Sequence, residues 1–303
     1  MSNLYLPVIA RELVPLKDAF GRHGILFGMA TSNSEMKDDL AKAIFDYHAN
    51  LIVPGDQMKM AVVQPYEEIF VYEHNHKMRE MAPHAHGHCL YWGQRYPEWL
   101  IPRLQKLDID GRYDVLALHI AACMKAYSTW NSMDVINEGF TQPSPWMEYI
   151  GPASIPWALT IAKGANPALP RYYNGVFLGL PEEMKSVMAL IDQKAIDGVG
   201  IQWHRKAGVD DTPWIPELID FAAAVKRKGL PVRMSEVTIR PNGNEGDFIA
   251  KWREAVRLAL MIGVTAFVQW GINDGPDSWQ GDSLLFDREY QAKKSYHAVI
   301  EEL

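Results

Sequence analysis

Eight short apolar segments, separated by stretches with helical patterning, constrain the fold of this 303-residue chain more than any other feature. The segments are apolar on both faces, as expected for strands that are covered on both sides. They span residues 23–30, 51–55, 87–93, 133–139, 171–174, 198–204, 232–238 and 266–271. Eight alternating strand and helix segments predict an α/β fold, the closed (β/α)8 or TIM barrel.

The length of the chain does not require a second domain, because one such barrel commonly needs about 250 residues. We therefore predict a single domain over residues 1–303. An open doubly wound sheet is the alternative, but residues 28–43 contain only scattered glycine and no glycine-rich phosphate loop. Residues 34–47 are predicted as a helix capped by Ser34. Residues 141–156, rich in Pro, Trp and Ser, are predicted to form a loop over the active-site face.

Composition and charge exclude several classes of partner. Apolar residues make up 48% of the chain and charged residues 22%, an ordinary balance for a globular protein. A net charge of −7 without a basic patch argues against a nucleic-acid partner. No run of about 18 apolar residues is present, and residues 1–17 lack the pattern of a secretion signal. We expect no membrane partner and a cytoplasmic location, or a secreted or periplasmic one if a leader has been removed; the oligomeric state stays open.

The cysteines and histidines do not form a recognisable metal motif. Cys89 and Cys123 are the only cysteines and belong to no CxxC or zinc-type pattern, so two free thiols are favoured over a disulfide. Closely spaced histidines can share an ion, but here no cysteine or carboxylate joins them at ligand spacing. These histidines are His74, His76, His84, His86 and His88. We predict no metal and no other cofactor.

Two predicted strands deliver a glutamate near their carboxyl end, Glu138 after the fourth strand and Glu236 in the seventh. In a β/α barrel, that edge forms the active-site face. The other side chains predicted there suit a sugar, whose hydroxyls need directional partners and whose C–H faces stack on aromatic rings. They are Asp56, Lys59, His88, Trp92, Asn137, Asn174, Gln202, His204, Trp270 and Asp274.

A pair of carboxyl groups can divide the labour of glycoside hydrolysis. In the retaining scheme one carboxylate attacks the anomeric carbon, while the other, kept protonated, supplies a proton to the leaving oxygen. The two carboxyl groups then lie about 5 Å apart. Glu138 and Glu236 are the candidates for this pair.

Six segments in the same order carry a resemblance to one known family. Residues 133–138 resemble that family's WDVVNE motif and residues 235–238 its TELD motif. The other four segments are residues 87–99, 196–204, 269–279 and 284–296. The chain is similar to glycoside hydrolase family 10, the retaining endo-β-1,4-xylanase family, and the resemblance spans nearly the whole chain.

The resemblance implies a role for each matched residue. Glu138 would be the acid/base, Glu236 the nucleophile, and His204 the hydrogen-bond partner that orients the nucleophile. Asn137 would bind the 2-hydroxyl of the sugar. The other implied substrate-binding residues are Asp56, Lys59, His88, Trp92, Asn174, Gln202, Trp270 and Trp279.

Three departures from the family pattern fall on the glycone side of the pocket. The Glu-Asn pair that holds the sugar becomes Gly55-Asp56, and the second histidine of the third-strand motif becomes Gly93, which removes a donor and is expected to leave space. The tyrosine of the NDY motif, which touches the nucleophile, becomes Val176. These changes predict a rebuilt pocket, weak activity on plain xylan, and a preference for a bulkier, decorated or short substrate.

Other functions stay open on the sequence alone. A carbohydrate-binding or otherwise inactivated barrel is the second hypothesis, since a fold does not guarantee catalysis. A metal-dependent barrel hydrolase is a more distant third. Four tryptophans fit either a sugar platform or the core: Trp146, Trp157, Trp203 and Trp214.

Overall fold

The computed structural model describes residues 13–275 and 281–303. Over these residues eight strands follow one another in chain order around a closed barrel, which confirms the predicted fold class. Strand pairs with a defined register are parallel. The strands are β1 Leu26–Thr31, β2 Leu51–Pro54, β3 His84–Tyr91, β4 Ser132–Asn137, β5 Arg171–Gly175, β6 Gly198–Lys206, β7 Val232–Arg240 and β8 Ala266–Gln269.

Helices occupy most of the connections between the strands. They are α1 Leu16–Gly21, α2 Asp39–His48, α3 Met60–Val63, α4 Glu73–Arg79, α5 Leu100–Lys106, α6 Ile109–Ala126, α7 Pro145–Tyr149, α8 Ser154–Ala165, α9 Pro181–Asp192, α10 Ile215–Arg227, α11 Glu245–Ile262 and α12 Lys294–Glu302. None of the helices in the described part of the chain is long and apolar enough to cross a membrane.

The predicted start of the first long helix is wrong by a few residues. Ser34 has helical backbone angles and makes no side-chain cap, and it precedes a short 3-10 helix, Glu35–Lys37. Asp38 is extended instead, and its carboxylate accepts hydrogen bonds from the backbone N–H groups of Leu40 and Ala41. The carboxylate therefore satisfies donors that the first turn of α2 would leave unpaired.

The prediction of a loop over residues 141–156 is also wrong in part. The Ser144 hydroxyl accepts a hydrogen bond from the Met147 N–H at 3.1 Å, and Pro145 takes the first helical position, so α7 begins here. Helix α8 starts at Ser154. Trp146 is fully buried in α7, so this insertion is packed into the protein.

The described residues form two compact units. The first unit comprises residues 13–55, 201–224, 232–275 and 281–303, and the second comprises residues 56–200 and 225–231. The single domain over residues 1–303 remains a prediction from the sequence.

In the first unit, β1 pairs with both β2 and β8, and β7 pairs with β8. Phe20 of α1 stacks on Phe27 and Phe267, with ring centroids 5.2 and 4.9 Å apart, so α1 covers the paired strands β1 and β8. His48 at the end of α2 is buried, and its Nδ1 accepts a hydrogen bond from the Leu16 N–H at 3.4 Å. Burial, assisted by the charge of Lys17, lowers the pKa of His48 to about 3.

In the second unit, β4 pairs with both β3 and β5. His119 of α6 is buried between Gln64 Oε1 at 2.9 Å and the carbonyl oxygen of Leu90 at 3.1 Å. Burial lowers the pKa of His119 to about 4, although the hydrogen bond to Leu90 opposes the shift. Burial therefore keeps His48 in the first unit and His119 in the second neutral near pH 7.

Candidate active site

Glu138 follows β4 directly and has a left-handed backbone, with φ of 53°. Its backbone N–H donates to the carbonyl oxygen of Asn174 at 2.8 Å, which ties the turn to β5. A left-handed conformation is uncommon for a residue with a side chain and marks a site where structure constrains the backbone. The next residue is Gly139, where a Cβ atom would lie 2.6 Å from Ile136 Cγ2. The sequence Glu-Gly therefore fits a sharp turn at the strand end.

The carboxyl group of Glu138 contacts the indole of Trp92. Trp92 Nε1 donates a hydrogen bond to Glu138 Oε2 at 3.2 Å. On the same indole lies Lys59, whose Nζ is 4.3 Å from the ring centroid. Lys59 is only 4% exposed, and its Nζ is also 3.5 Å from Cys89 Sγ. The structure thus brings three predicted residues, Lys59, Trp92 and Glu138, into one connected set.

Asn137 and Asn174 face each other across the paired strands β4 and β5. Asn174 Nδ2 donates to Asn137 Oδ1 at 2.8 Å, and both side chains are buried. Because Oδ1 of Asn137 accepts this bond, the orientation of its amide is fixed. The carbonyl oxygen of Asn174 also accepts from the Glu138 N–H, so the two asparagines are connected to Lys59, Trp92 and Glu138.

Asp134 lies beside His86 and His88 in the next strand, a contact that the sequence interpretation missed. His88 Nδ1 is hydrogen-bonded to Asp134 Oδ2 at 2.8 Å, and His86 Nε2 approaches Oδ1 at 2.9 Å without hydrogen-bond alignment. Burial opposes ionisation of Asp134, but the two histidines outweigh it and hold the pKa of this carboxyl well below its usual range. The sequence signal for this contact was a pair of histidines at alternate positions of β3 with an aspartate in the neighbouring strand β4.

Glu236 is almost fully buried within β7, at 6% exposure. His204 Nε2 is 3.1 Å from Glu236 Oε2, and His204 Nδ1 is 2.8 Å from Thr238 Oγ1. The indole of Trp270 lies edge-on to the imidazole, with centroids 6.4 Å apart. Because both ring nitrogens of His204 have partners, the imidazole is held in one orientation toward the carboxylate.

Two of the three departures from the family pattern have structural partners. Arg95, which is left-handed at φ 54°, donates Nε to Asp56 Oδ1 at 2.8 Å and Nη2 to Oδ2, so the pair is bidentate. At Gly93, an added Cβ would overlap the carbonyl oxygen of Pro143. The expectation that Gly93 leaves space is therefore wrong, because the backbone before α7 already fills it.

The third departure, Val176, follows a glycine that lies beside a buried acid. A Cβ on Gly175 would overlap Oε1 of Glu183, which is in the first turn of α9. Tyr173 donates its hydroxyl to the same oxygen at 2.8 Å. Nothing in the sequence pattern distinguishes Glu183 from its exposed neighbour Glu182.

The remaining predicted residues are placed as follows. Gln202 is buried in β6, and Trp270 is half-buried after β8. Asp274 accepts from the Leu284 N–H at 2.8 Å and from Lys293 at 2.6 Å, so it fastens a loop. Trp279 lies outside the described residues.

The surroundings of the tryptophans, cysteines and candidate metal ligands can also be described. Trp146 and Trp203 are core residues, whereas Trp157 and Trp214 are 38% and 49% exposed. Cys89 and Cys123 are buried free thiols. Within residues 13–275 and 281–303, no group of three or more His, Cys, Asp or Glu side chains could hold a metal ion.

Comparison with known proteins points to one family. Residues 15–302 match the family described as glycosyl hydrolase family 10. The chain is 27% identical to endo-1,4-beta-xylanase B of Thermotoga neapolitana, over 95% of this chain and 91% of that protein. It is 26% identical to endo-1,4-beta-xylanase A of Xylanibacter ruminicola, over 82% of this chain and 72% of that protein.

Solved structures support the same fold. The crystal structure of xylanase 10B from Thermotoga petrophila RKU-1 in complex with xylobiose matches with a TM-score of 0.82 at 24% identity. The match covers 96% of this chain and 98% of that one.

Proposed function

The chain belongs to glycosyl hydrolase family 10, a family of glycosidases, and from this premise we propose that it hydrolyses β-1,4-xylan, xylo-oligosaccharides or a related decorated β-glycoside with retention of configuration. Glu236 is the nucleophile and Glu138 the acid/base. The observation that carries the proposal is the hydrogen bond between His204 and Glu236, in which a fixed imidazole presents Nε2 to the carboxylate at 3.1 Å. A carboxylate held in this way keeps its oxygens aligned for attack.

In the first step, Glu236 attacks the anomeric carbon and the glycosidic C–O bond breaks. The proton of Glu138 goes to the leaving oxygen, which departs as a sugar hydroxyl, and a covalent glycosyl-enzyme remains. In the second step, Glu138 takes a proton from water, the hydroxide attacks the same carbon, and Glu236 leaves as a carboxylate. The Trp92 N–H, bonded to Glu138 Oε2, keeps that carboxyl oriented through both steps.

The substrate is proposed from the relatives and from the departures in the pocket. The relatives named above are endo-1,4-beta-xylanases, and one structural neighbour is bound to xylobiose. On the glycone side this chain has the Asp56–Arg95 ion pair in place of the Glu-Asn pair of the family motif. We therefore expect weak activity on linear xylan and faster turnover of a short or decorated substrate.

The decisive experiment is product release from xylo-oligosaccharides, linear and decorated xylans and aryl glycosides. The wild-type protein is compared with Glu138→Ala and Glu236→Ala, and with Glu182→Ala, whose side chain is exposed on α9, as the matched control. Glycoside cleavage should persist in the control and be lost on xylan in both active-site variants. The first anomer detected by proton NMR should be the β form, as retention requires.

Two results would contradict the proposal. Appreciable turnover by Glu236→Ala would mean that Glu236 is not the nucleophile. Binding of xylo-oligosaccharides by the wild-type chain without cleavage of any substrate would instead make it an inactive carbohydrate-binding barrel. The preference for decorated or short substrates fails separately if linear xylan and every decorated or non-xylan glycoside are turned over equally.

A further inference from the structure

Glu183 is a buried carboxyl group that the two-glutamate mechanism does not use. It lies in the first turn of α9 and is 3% exposed, whereas the adjacent Glu182 is in solvent. Its Oε1 accepts from the Tyr173 hydroxyl at 2.8 Å, and its Oε2 accepts from the Phe177 N–H at 2.8 Å. The backbone of Val176 provides a further hydrogen bond. Acidic residues in a first helical turn usually remain exposed, so the burial of Glu183 calls for a physical reason.

The glycine at position 175 is what admits this carboxyl group. A Cβ atom at Gly175 would overlap Glu183 Oε1 and lie 2.8 Å from Cε1 of the Tyr173 ring. Any residue with a side chain would therefore displace the carboxyl group or the tyrosine. The departure from the family pattern at this position coincides with a carboxylate that reaches β5 from the following helix.

Tyr173 connects Glu183 to the turn that carries Glu138. The Phe140 N–H, two residues beyond Glu138, donates to the Tyr173 hydroxyl at 3.3 Å, and the two aromatic rings stack with centroids 5.5 Å apart. The backbone N–H of Glu138 itself donates to Asn174. Adjacent residues of β5 therefore hold both ends of the left-handed turn.

The hydrogen bonds around Glu183 are those of an acceptor. Burial raises the pKa of Glu183, and the charge of Glu138 raises it further, while its hydrogen-bond donors act in the opposite direction. An ionised carboxylate only accepts hydrogen bonds, which matches a site supplied with the Tyr173 O–H and the Phe177 N–H.

Tyr173 keeps the proton that it donates to Glu183. Burial, followed by the charge of Glu183, raises the pKa of Tyr173 well above its usual value, so Tyr173 stays a neutral donor.

We propose that Glu183 is a positioning residue for the acid/base: through Tyr173 and the Phe140 N–H it holds the turn at residues 138–140, so that the Glu138 carboxyl group stays in place for proton transfer. The inference rests on the proposed role of Glu138. It also explains why this chain tolerates glycine at position 175, because the carboxylate from α9 fills that space.

The direct test compares kcat and KM of Glu183→Gln and the matched control Glu182→Gln on aryl xylosides of graded leaving-group pKa. In Glu183→Gln we expect kcat to fall about tenfold on poor leaving groups, which need the proton of Glu138, and to change little on good ones. The control should behave as the wild type does.

A second readout separates positioning from a general loss of structure. A purely structural role of Glu183 would lower kcat evenly across the leaving-group series. If Glu183→Gln does not fold, Tyr173→Phe tests the same connection, since it removes the hydroxyl between Phe140 and Glu183; kcat should then fall about tenfold with KM little changed.

An equal loss across the leaving-group series in folded Glu183→Gln, or Tyr173→Phe with wild-type kcat, would overturn the proposal. A wild-type protein that cleaves no glycoside would reject the proposed function and this proposal with it, because the positioning role rests on that of Glu138. Turnover that depends on Glu138 but is indifferent to Glu183 would leave the glycosidase standing and reject the positioning role alone.

Discussion

The two proposed catalytic glutamates are held in opposite ways. Glu236 lies inside a strand of the first unit, and its carboxylate meets an imidazole that Thr238 holds from the other side. Glu138 lies beyond the end of a strand in the second unit, on a left-handed turn, with an indole N–H on its carboxyl group. One carboxyl group is therefore held by a strand and an imidazole, and the other by a turn and an indole.

This difference corresponds to the two tasks of a retaining glycosidase. A nucleophile has to be fixed before the substrate arrives, which a strand backbone and a fixed imidazole provide. An acid/base has to hold a proton in one step and accept one in the next, which suits a carboxyl group bonded to a neutral indole N–H. Strand β7 therefore holds Glu236 rigidly, whereas Glu138 lies on a turn after the end of β4.

The largest effect that separates the two residues concerns the leaving group. Glu236→Ala should lower kcat/KM by roughly 10⁴-fold or more on every substrate, because no other group can form the covalent intermediate. Glu138→Ala should lose about 10²–10⁴-fold on xylo-oligosaccharides, since the leaving oxygen needs a proton, and much less on an aryl glycoside whose phenolate leaves unaided. Rates on a series of aryl xylosides of graded leaving-group pKa check this. Equal losses for both variants across the series would remove the distinction.

Loss of the His204 imidazole should affect the reaction through Glu236 alone. We expect His204→Ala to lower kcat/KM by about 10²-fold, because a preorganised donor to the nucleophile is lost. Thr238→Val keeps the shape but removes the oxygen that holds His204, and should cost about tenfold, the equivalent of one hydrogen bond. Steady-state kinetics on one aryl glycoside measure both. A Thr238→Val loss as large as that of His204→Ala would mean that Thr238 has its own role in the reaction.

We expect an added methyl group to destabilise the protein more near Glu138 than elsewhere in the second unit. Gly93→Ala puts a methyl group on the Pro143 carbonyl and should lower the free energy of unfolding by about 1–3 kcal/mol. The matched control is Gly164→Ala in α8, where nothing lies within 4 Å of the added methyl. That change should stabilise by up to about 1 kcal/mol, because alanine favours a helix. Denaturant melts of both variants measure the difference. An unchanged free energy of unfolding in Gly93→Ala would show that the backbone of residues 141–144 can move to accommodate the methyl group.

In one respect the two units should behave alike. His48 in the first unit and His119 in the second have pKa values lowered from 6.5 to about 3 and about 4. The folded state therefore binds fewer protons than the unfolded state, and stability present at pH 7 is lost as the pH falls below 6.5. The loss is at most about 1.4 kcal/mol per pH unit for each histidine, until the folded pKa is reached.

Unfolding free energies between pH 7 and pH 4 check this expectation. A single leucine at either histidine should flatten the slope, and His297→Leu on the surface of α12 serves as the control. A slope that is unchanged in both His48→Leu and His119→Leu would show that other groups set the acid limit.

Much of this architecture could be predicted because it depends on local patterns. Apolar runs locate strands, and Glu138 and Glu236 are visible because each interrupts such a run. Ser144 and Pro145 were local signals too, but the composition of the insertion concealed the helix that they begin.

The rest depends on which segments meet in space. Glu183 looks like an ordinary acidic first-turn residue until α9 is packed against Gly175. Gly93 looks like an empty space until Pro143 is placed over it. Asp134 and His88 are 46 positions apart in the chain. These contacts join segments that are far apart in the chain, so they could not be predicted from the sequence.

The left-handed backbone at Glu138 also sets folding stability against activity. Asparagine and glycine adopt that conformation at lower cost than glutamate, by about 1 kcal/mol. Glu138→Asn should therefore gain up to about that much folding stability while losing the proposed acid/base. Stability and turnover make opposite demands on this one position.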